Sequence, residues 1–325
     1  MSLLKERKSY KPFDYPWAHE AFINQNEMHW LPSEVDLGHD KIDWEENLHP
    51  AEKALLTNIL RYFTQSDIDV NEGYLGKYAK IFKPVEVRMM MSAFANMEAI
   101  HIHAYSNLVD TLGMDDKFYT EFLNYREMAA KHDFLSRFSI DSMQNIAKTI
   151  AVYSAFTEGL QLFASFAILF NFQRPEGGGR MRGMGKIVEW SIRDETLHVQ
   201  SMTRLFKEFI KENKDKIDME EIKNEVIEVC RTTVKLEDDF TDLCFGVSQD
   251  IKGLKKEELK EYVRFIADYR MRQLGFDPIF NIKKNPLEWM EELVMPRHTN
   301  FFENRVTEYA KGATKGEWGD LHFED

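Results

Sequence analysis

The stretch EAIHIHAYSNL, residues 98–108, places an acid and an imidazole where a helix should turn apolar side chains inward. Glu98, His101 and Tyr105 follow one another at steps of three and four. The same row continues in both directions through Met91, Phe94, Leu108 and Leu112. This spacing predicts a helix whose apolar stripe faces a core. Because an isolated buried charge is very costly, Glu98 and His101 need partners elsewhere in the chain.

A second pair with the same spacing lies in VEWSIRDETLHVQSMTRLF, residues 188–206. Glu195 and His198 are again three residues apart within an apolar row. The other members of that row are Val188, Ile192, Met202 and Leu205. A third such pair, Glu46 and His49, directly precedes Pro50, where a helix cannot be continuing, so we exclude it.

Each of the two pairs follows a helix with one acid in its apolar face. Glu158 lies 37 residues before Glu195, and Asp67 lies 31 residues before Glu98. The six extra residues can be placed in the Gly-rich connection RPEGGGR of the second hairpin. The segment 151–172 resembles a membrane span, but its central Glu158 and the absence of a basic flank favour a buried helix of a bundle. The chain therefore reads as two copies of one helical hairpin, with no membrane segment.

The chemistry of this constellation is specific. Two ligands at i and i+3 lie side by side on one helix face. Four acids and two neutral imidazoles around one cavity balance the charge of two divalent ions. The arrangement matches the di-iron or di-manganese carboxylate site of ferritin-like bundles, and its ligands suit Fe and Mn. For a single pair, core histidines with buried salt bridges would be the simpler interpretation; two pairs with two preceding acids favour a metal site.

The composition of the 325 residues and the breaks in their helical spacing predict how the chain is divided into helices, arm and tail. The net charge of −13 argues against binding nucleic acid or an anionic membrane. Long helical patterns are predicted at 51–82, 85–113, 117–138, 142–172, 180–213, 217–248 and 254–275. We therefore predict one all-α domain, residues 1–310, with an extended N-terminal arm over 1–48 and a flexible tail over 311–325. Cys230 and Cys244 have no metal spacing and indicate reduced core thiols in a cytoplasmic protein.

Taken together, these motifs resemble the small, radical-generating subunit of class I ribonucleotide reductase over nearly the whole chain. MHWLPSEVDLGHDKIDW (28–44) resembles its N-terminal signature, RDETLH (193–198) the segment around its last ligand pair, and NPLEWMEELVMPRHTNFFENRVTEYAKG (285–312) the start of its tail. The resemblance implies a ferritin-like helical bundle with additional helices and a di-metal carboxylate site in the core. It implies the metal ligands Asp67, Glu98, His101, Glu158, Glu195 and His198.

The resemblance also assigns roles outside the ligand set. Tyr105, about 6 Å along the helix axis from His101, takes the place of the stable tyrosyl radical. Asp194 would join His101 to Trp30, and Tyr309 would relay the radical between subunits. Glu303 would assist Tyr309. The implied cofactor is two Fe ions per chain that react with O₂; Mn/Fe and Mn/Mn pairs remain open, the latter with a flavoprotein activator. The implied partners are a second copy of the chain and a large subunit, which the tail docks and which reduces the ribonucleotide.

Two other classes of function stay open at this level. One is a ferritin-like di-metal oxidase or hydroxylase with its own small substrate, for which Trp30, Tyr309 and the tail would have no purpose. The other is an iron-storage bundle, although storage cages are built from shorter chains. Dependence on a large subunit that binds the tail would separate these classes from a reductase.

Overall fold

The computed structural model describes residues 2–246 and 250–294, and these are mostly helical, which confirms the all-α prediction. The described residues form twelve α-helices: α1 Pro16–Glu27, α2 Gly38–Ile42, α3 Pro50–Glu72, α4 Ala79–Ile81, α5 Val85–Thr111, α6 Arg126–Ser136, α7 Met143–Ala151, α8 Leu162–Asn171, α9 Arg182–Asn213, α10 Met219–Phe245, α11 Lys256–Leu274 and α12 Trp289–Val294. Two short antiparallel strands, Asp250–Ile251 and Leu254–Lys255, join α10 to α11.

The α-helices alternate with three π-helical segments: Asp43–Asn47, Gly73–Tyr78 and Val152–Gln161. Two of them join α-helices into longer rods. Residues 50–81 form the first carboxylate helix, in which Gly73–Tyr78 links α3 to α4. Residues 143–171 form the second carboxylate helix, in which Val152–Gln161 links α7 to α8.

Each carboxylate helix turns back into a long helix, so the two predicted hairpins are present. Three residues, 82–84, connect the first carboxylate helix to α5, whereas ten residues, 172–181, connect the second to α9. The longer connection includes Gly178 and Gly179, both with positive φ, which glycine adopts without steric cost. The second connection is seven residues longer, and the second carboxylate helix extends one residue less beyond its acid, so the six extra residues lie in the Gly-rich connection, as the sequence predicts.

The two hairpins pack into one bundle with the helices that follow. α5 packs against α3 and α9, and the Val152–Gln161 segment packs against α9 and α11. The helix α1 lies across α5 and α9. Buried apolar side chains form a continuous cluster through the bundle; Phe63 and Phe166 meet in it with ring centroids 5.3 Å apart. The centre of the bundle is thus enclosed by four helical rods and closed on one side by α1.

The structure differs from the sequence prediction in two segments. The arm over 1–48 is not extended throughout, because Pro16–Glu27 forms a helix opened by its proline. The helix predicted over 117–138 begins only at Arg126, after two 3₁₀ turns, Asp116–Tyr119 and Glu121–Asn124. There the Asp115 carboxylate caps the first turn by accepting a hydrogen bond from the Lys117 N–H at 3.0 Å, and the backbone pairs residues three apart, with Phe118 N–H donating to the Asp115 carbonyl at 3.0 Å, as in a 3₁₀ turn.

One helix of the described residues, Met143–Asn171, is long and apolar enough to cross a membrane, and its most apolar stretch is entirely buried inside the bundle. It is a core helix, as predicted. Cys230 and Cys244 are both buried and free, which also agrees with the sequence analysis.

Candidate metal centre

The six side chains predicted as metal ligands come together in the middle of the bundle. They are Asp67 of α3, Glu98 and His101 of α5, Glu158 of the second carboxylate helix, and Glu195 and His198 of α9. None of the six is more than 2% exposed. The i, i+3 spacing on α5 and α9 makes each acid and its imidazole neighbours, and the packing of the two hairpins brings the pairs face to face.

One group of ligand atoms surrounds His198. The donor atoms of His198, Glu98, Glu158 and Glu195 all lie within 4.8 Å of one another, which is close enough to hold a metal ion. The Nδ1 atom of His198 is 2.9 Å from Oε1 of Glu98, 3.6 Å from Oε1 of Glu158 and 3.5 Å from Oε2 of Glu195. This group therefore draws ligands from both hairpins.

A second position lies beside His101. Its Nδ1 atom is 3.5 Å from Oε2 of Glu98 and 3.3 Å from Oε1 of Glu195. Glu98 and Glu195 thus each turn one oxygen toward each imidazole. The charge of Asp67 acts on this side, where it interacts with Glu98, His101 and Glu195. The cluster thus offers two adjacent candidate metal positions, and both positions include Glu98 and Glu195. One position adds His101 and Asp67, and the other adds His198 and Glu158.

The donor atoms fit a pair of cations because, apart from the two imidazoles of the site, the protein gives most of them no partner. Within the described residues, both oxygens of Glu98, both oxygens of Glu195 and one oxygen of Asp67 are buried and form no hydrogen bond. Buried carboxylates without donors are strongly destabilising unless a positive charge compensates them. Two divalent ions would supply that charge, and oxygen and imidazole donors suit Fe and Mn.

The acids and imidazoles perturb one another strongly. Burial raises the pKa of Glu158 to about 7, and burial together with the nearby Glu98 charge raises the pKa of Asp67. Burial alone would lower the pKa of His101 and His198, but the surrounding carboxylates raise the pKa of both imidazoles well above the usual value. The cluster without metal therefore holds protons, and metal ions must displace them.

The far side of His101 contacts the two residues that the resemblance names. Its Nε2 atom is 3.2 Å from Oδ2 of Asp194, and the Trp30 indole N–H donates to the same oxygen at 2.8 Å. The rings of Trp30 and His101 stack with centroids 5.9 Å apart. Burial alone would raise the pKa of Asp194, but its contact with His101 and the charge of Arg193 lower it, so the carboxylate stays ionised. The structure thus joins Trp30, Asp194 and His101 in one chain of contacts.

The far side of His198 contacts Gln25 of α1, a residue that the sequence analysis missed. Nε2 of His198 is 2.9 Å from Oε1 of Gln25, whose amide N–H donates to Asp194 at 3.1 Å. Gln25 is buried although α1 has a weakly apolar sequence. No periodic pattern marks it, because its role depends on how α1 lies across α5 and α9.

Tyr105 lies one turn beyond His101 and is fully buried. Its hydroxyl donates to Oγ of Ser191 at 3.3 Å, and its ring meets Phe63 edge-on with centroids 4.6 Å apart. Burial raises the pKa of Tyr105 far above the usual value, so the side chain is a neutral phenol. Ser191 was also missed in the sequence; it lies four residues before Glu195, within the row that faces the core.

Glu158 lies inside a π-helical segment that a buried arginine supports. Nε of Arg270 donates to the carbonyl of Gly159 at 2.8 Å, and the guanidinium lies over the Phe163 ring. A Cβ atom at Gly159 would lie 2.7 Å from that Nε atom and 2.8 Å from the carbonyl oxygen of Ser154. Only glycine fits this close approach, and π-helical segments frequently occur at functional sites.

A further residue that the sequence did not single out is Tyr74 of the first carboxylate helix. Its hydroxyl donates to Oε1 of Glu158 at 2.6 Å. Tyr309, Glu303 and the tail over 311–325 lie outside the described residues.

Comparisons with known proteins agree with this site. Residues 7–286 match the family model described as ribonucleotide reductase, small chain. The "Probable ribonucleoside-diphosphate reductase small subunit 376L" of Invertebrate iridescent virus 6 is 41% identical, with 99% of each chain covered. The ribonucleoside-diphosphate reductase subunit beta of Chlamydia pneumoniae is 29% identical, with 92% of this chain and 88% of that protein covered.

Solved structures agree in fold. The ribonucleotide reductase R2 subunit from Clostridium botulinum superposes with a TM-score of 0.79 at 20% identity, over 89% of this chain and 91% of that one. The dimanganese(II) NrdF of Streptococcus sanguinis gives a TM-score of 0.74 at 17% identity, over 89% and 99%. The predicted ferritin-like bundle is confirmed. Matched along almost its whole length by the family model and by relatives, the chain belongs to the ribonucleotide reductase small chain family.

Proposed function

We propose that this small subunit of a ribonucleoside-diphosphate reductase binds two iron ions per chain, uses O₂ to oxidise Tyr105, and passes the oxidising equivalent to a large subunit that reduces ribonucleotides. The observation that carries the proposal is the sharing of Glu98 and Glu195 by His101 and His198, with Tyr105 one turn beyond. Sharing of this kind suits two adjacent ions better than one.

The six buried side chains would hold the metal pair. Asp67 and His101 would complete one position, Glu158 and His198 the other, and Glu98 and Glu195 would serve both. When bound, such a pair supplies a strong one-electron oxidant after reaction with O₂. Carboxylates and imidazoles bind manganese as well as iron, so the presence of Tyr105 is what favours iron in both positions.

The protein's own groups orient the imidazoles for this task. The ionised Asp194 holds a proton on Nε2 of His101, and the amide oxygen of Gln25 does the same for Nε2 of His198. With the proton held on Nε2, the Nδ1 atom of each ring is the one that faces the shared carboxylates. It would be free to bind metal once the ions have displaced the remaining protons of the cluster. Such outer contacts fix tautomer and ring orientation at metal sites.

Tyr105 is suited to storing the oxidising equivalent because water does not reach it. Its side chain is fully buried, and Phe63 covers one edge of the ring. The hydroxyl donates to the neutral hydroxyl of Ser191, while the charges of Asp67, His101 and Glu195 act on it from the neighbouring cluster.

We further propose that the equivalent leaves by way of Trp30 and Tyr309, with Glu303 assisting. The contacts of Trp30 with Asp194 and His101 support the first part of this route. The large subunit, a homodimeric state and a cytoplasmic location belong to the same proposal. The alternative, an oxidase with its own small substrate, gives the Trp30–Asp194 contact no purpose.

Loading metal-free protein with ferrous iron in air, followed by EPR spectroscopy and metal analysis, tests the core of the proposal. We expect about two iron ions per chain and a stable tyrosyl radical. Protein that binds both ions and consumes O₂ without forming any radical would contradict it and favour the oxidase.

Deletion of residues 313–325 tests the partner. This segment is polar and Gly-punctuated, yet it carries Trp318, Leu321 and Phe323 as apolar anchors for a groove on the large subunit. We expect unchanged metal content, radical and thermal stability, with loss of large-subunit binding and of ribonucleotide reduction. A peptide of the same residues should compete with the intact chain. Full reduction by the truncated chain at ordinary subunit concentrations would place the docking surface elsewhere.

A further inference from the structure

A second buried tyrosine lies in direct contact with the metal centre, on the side away from Tyr105. The Tyr74 hydroxyl donates to Oε1 of Glu158 at 2.6 Å. The side chain is 2% exposed, and its ring meets those of Phe94 and His198 edge-on, with centroids 5.8 and 6.0 Å away. Tyr74 is therefore almost as well shielded from water as Tyr105, and it touches a residue of the predicted ligand set.

The hydrogen-bond acceptor distinguishes Tyr74 from Tyr78, its neighbour on the first carboxylate helix. A phenol that loses an electron becomes strongly acidic and must give its proton to a base. Tyr78 donates to the backbone carbonyl of Thr149, which does not take up a proton readily. Tyr74 donates to a carboxylate, which does. Of these two tyrosines, Tyr74 has the acceptor that allows electron and proton to leave together.

We propose that Tyr74 is a second oxidisable tyrosine of the metal centre and receives the oxidising equivalent when Tyr105 cannot. In this step the O–H bond of Tyr74 breaks, its electron reduces the oxidised metal pair by one equivalent, and its proton passes to the Glu158 carboxylate, which becomes more basic as the positive charge of the pair falls by one. The product is a neutral radical on Tyr74. The short contact with Glu158 supplies the path for the proton, and the adjacency of that side chain to the cluster supplies the path for the electron.

The neighbourhood of Tyr74 also limits where such a radical could go. The Tyr78 ring is 6.1 Å from that of Tyr74, and the Tyr153 ring is 6.2 Å from that of Tyr78. Because the hydroxyl of Tyr78 faces a carbonyl, onward oxidation of Tyr78 has no proton acceptor. The radical should therefore stay on Tyr74 until it is reduced, as a local side product separate from the route through Trp30.

The inference rests on the proposed function, since it needs an oxidised metal pair. Its test uses wild-type protein, Tyr105→Phe, and the double variants Tyr105→Phe/Tyr74→Phe and Tyr105→Phe/Tyr78→Phe. Tyr78→Phe is the matched control, because it removes an equally buried hydroxyl from the same helix without touching Glu158. Each protein is loaded anaerobically with ferrous iron, mixed with O₂, freeze-quenched and examined by EPR, with ring-deuterated tyrosine to identify tyrosyl signals. Circular dichroism and iron content establish that each variant folds and loads.

In Tyr105→Phe we expect a transient tyrosyl signal that narrows on ring deuteration, falls at least tenfold with Tyr74→Phe, and remains with Tyr78→Phe. No tyrosine-derived signal in an iron-loaded, O₂-consuming Tyr105→Phe protein would overturn the inference, as would a signal that survives Tyr74→Phe. The EPR spectrum of the wild-type protein distinguishes a failure of the proposed function from a failure of the inference about Tyr74. If wild type forms no radical on Tyr105, the proposed function fails, and a signal abolished by Tyr74→Phe would still support the role of Tyr74.

Discussion

The two hairpins of the bundle, residues 50–111 and 143–213, contribute matching ligands but surround them differently. Each gives one lone acid and one acid–imidazole pair, and all six side chains are buried. The residues that contact the far side of the two imidazoles differ between the hairpins. His101 contacts the charged Asp194, whereas His198 contacts the neutral Gln25. Four residues further along, the first hairpin has Tyr105 and the second has Met202. A repeated hairpin thus supplies matching candidate ligands, and under the proposed function the difference in their surroundings is what places the oxidised tyrosine on the His101 side.

The lone acids differ in a second way. Asp67 lies in a regular α-helix, whereas Glu158 lies in a π-helical segment supported by Arg270. Arg270 is fully buried, and among the described residues no carboxylate pairs with it. Burying a guanidinium without a counter-charge is costly, and here burial lowers the pKa of Arg270 to about 10. A structural cost of this size, absent from the first hairpin, indicates that the position of Glu158 matters.

The largest expected effect comes from removing one lone acid. Glu158→Ala takes away a ligand that His198 and its neighbours cannot replace, so we expect metal affinity at that position to fall by more than about 100-fold. Metal analysis after gel filtration measures the loss. Thr157→Ala, a buried neighbour on the same segment, is the control and should load normally. Complete loading of Glu158→Ala would refute the ligand assignment.

The second prediction concerns Tyr105, the residue by which the first hairpin differs from the second at the position four residues after the imidazole. Tyr105→Phe should abolish the stable radical and most reductase activity, while fold and metal content persist, because one hydroxyl with one weak hydrogen bond contributes about 1 kcal/mol. Met202→Leu changes the matching position of the other hairpin and should leave the radical in place. EPR spectra and metal content of both variants measure the difference. A stable radical of unchanged line shape in Tyr105→Phe would place it on another residue.

A smaller effect is expected from the outer partners of the imidazoles. Asp194→Asn keeps the shape but removes the charge behind His101, so we expect roughly 10- to 100-fold weaker metal binding. Gln25→Met removes a neutral acceptor behind His198 and should weaken binding less. Titration with Mn²⁺, followed by EPR of the free ion, compares the two variants. Equal losses would show that the charge of Asp194 does not matter for metal binding.

The smallest effect concerns pH. A group with a raised pKa in the folded state stabilises the fold while protonated and loses that contribution as pH rises through its folded pKa. The pKa of Glu158 is raised to about 7 and the pKa of both imidazoles is raised, so the metal-free cluster should become less favourable as pH rises from about 5 to above 7. Metal binds the deprotonated ligands, so the gain in Tm on adding Mn²⁺ should be larger at pH 8 than at pH 6. An equal gain at both values would contradict the proton displacement.

Much of the site could be predicted from the sequence because its signal is local. An acid and an imidazole three residues apart in an apolar row must lie together on the inner face of a helix, whatever the rest of the chain does. Two such rows, each preceded by a lone acid in an apolar face, therefore point to one cluster. The ends of the long helices follow from prolines and glycines for the same reason. The error at 117–125 arose because helical spacing of apolar residues does not distinguish short 3₁₀ turns from the first turns of an α-helix.

What only the tertiary structure decided depends on residues far apart in the chain. Gln25 and His198 are 173 residues apart, and Tyr74 and Glu158 are 84 apart. Neither contact can be recognised from the spacing of residues in the sequence, because each depends on where one helix crosses another. The π-helical segment at Glu158 likewise needs Arg270, 111 residues beyond Gly159, to take up a backbone carbonyl. The sequence by itself therefore determined which side chains face the core and can bind metal. Packing decided how each ligand is held and which tyrosine touches a base, since hydrogen-bond partners are chosen by distance in space.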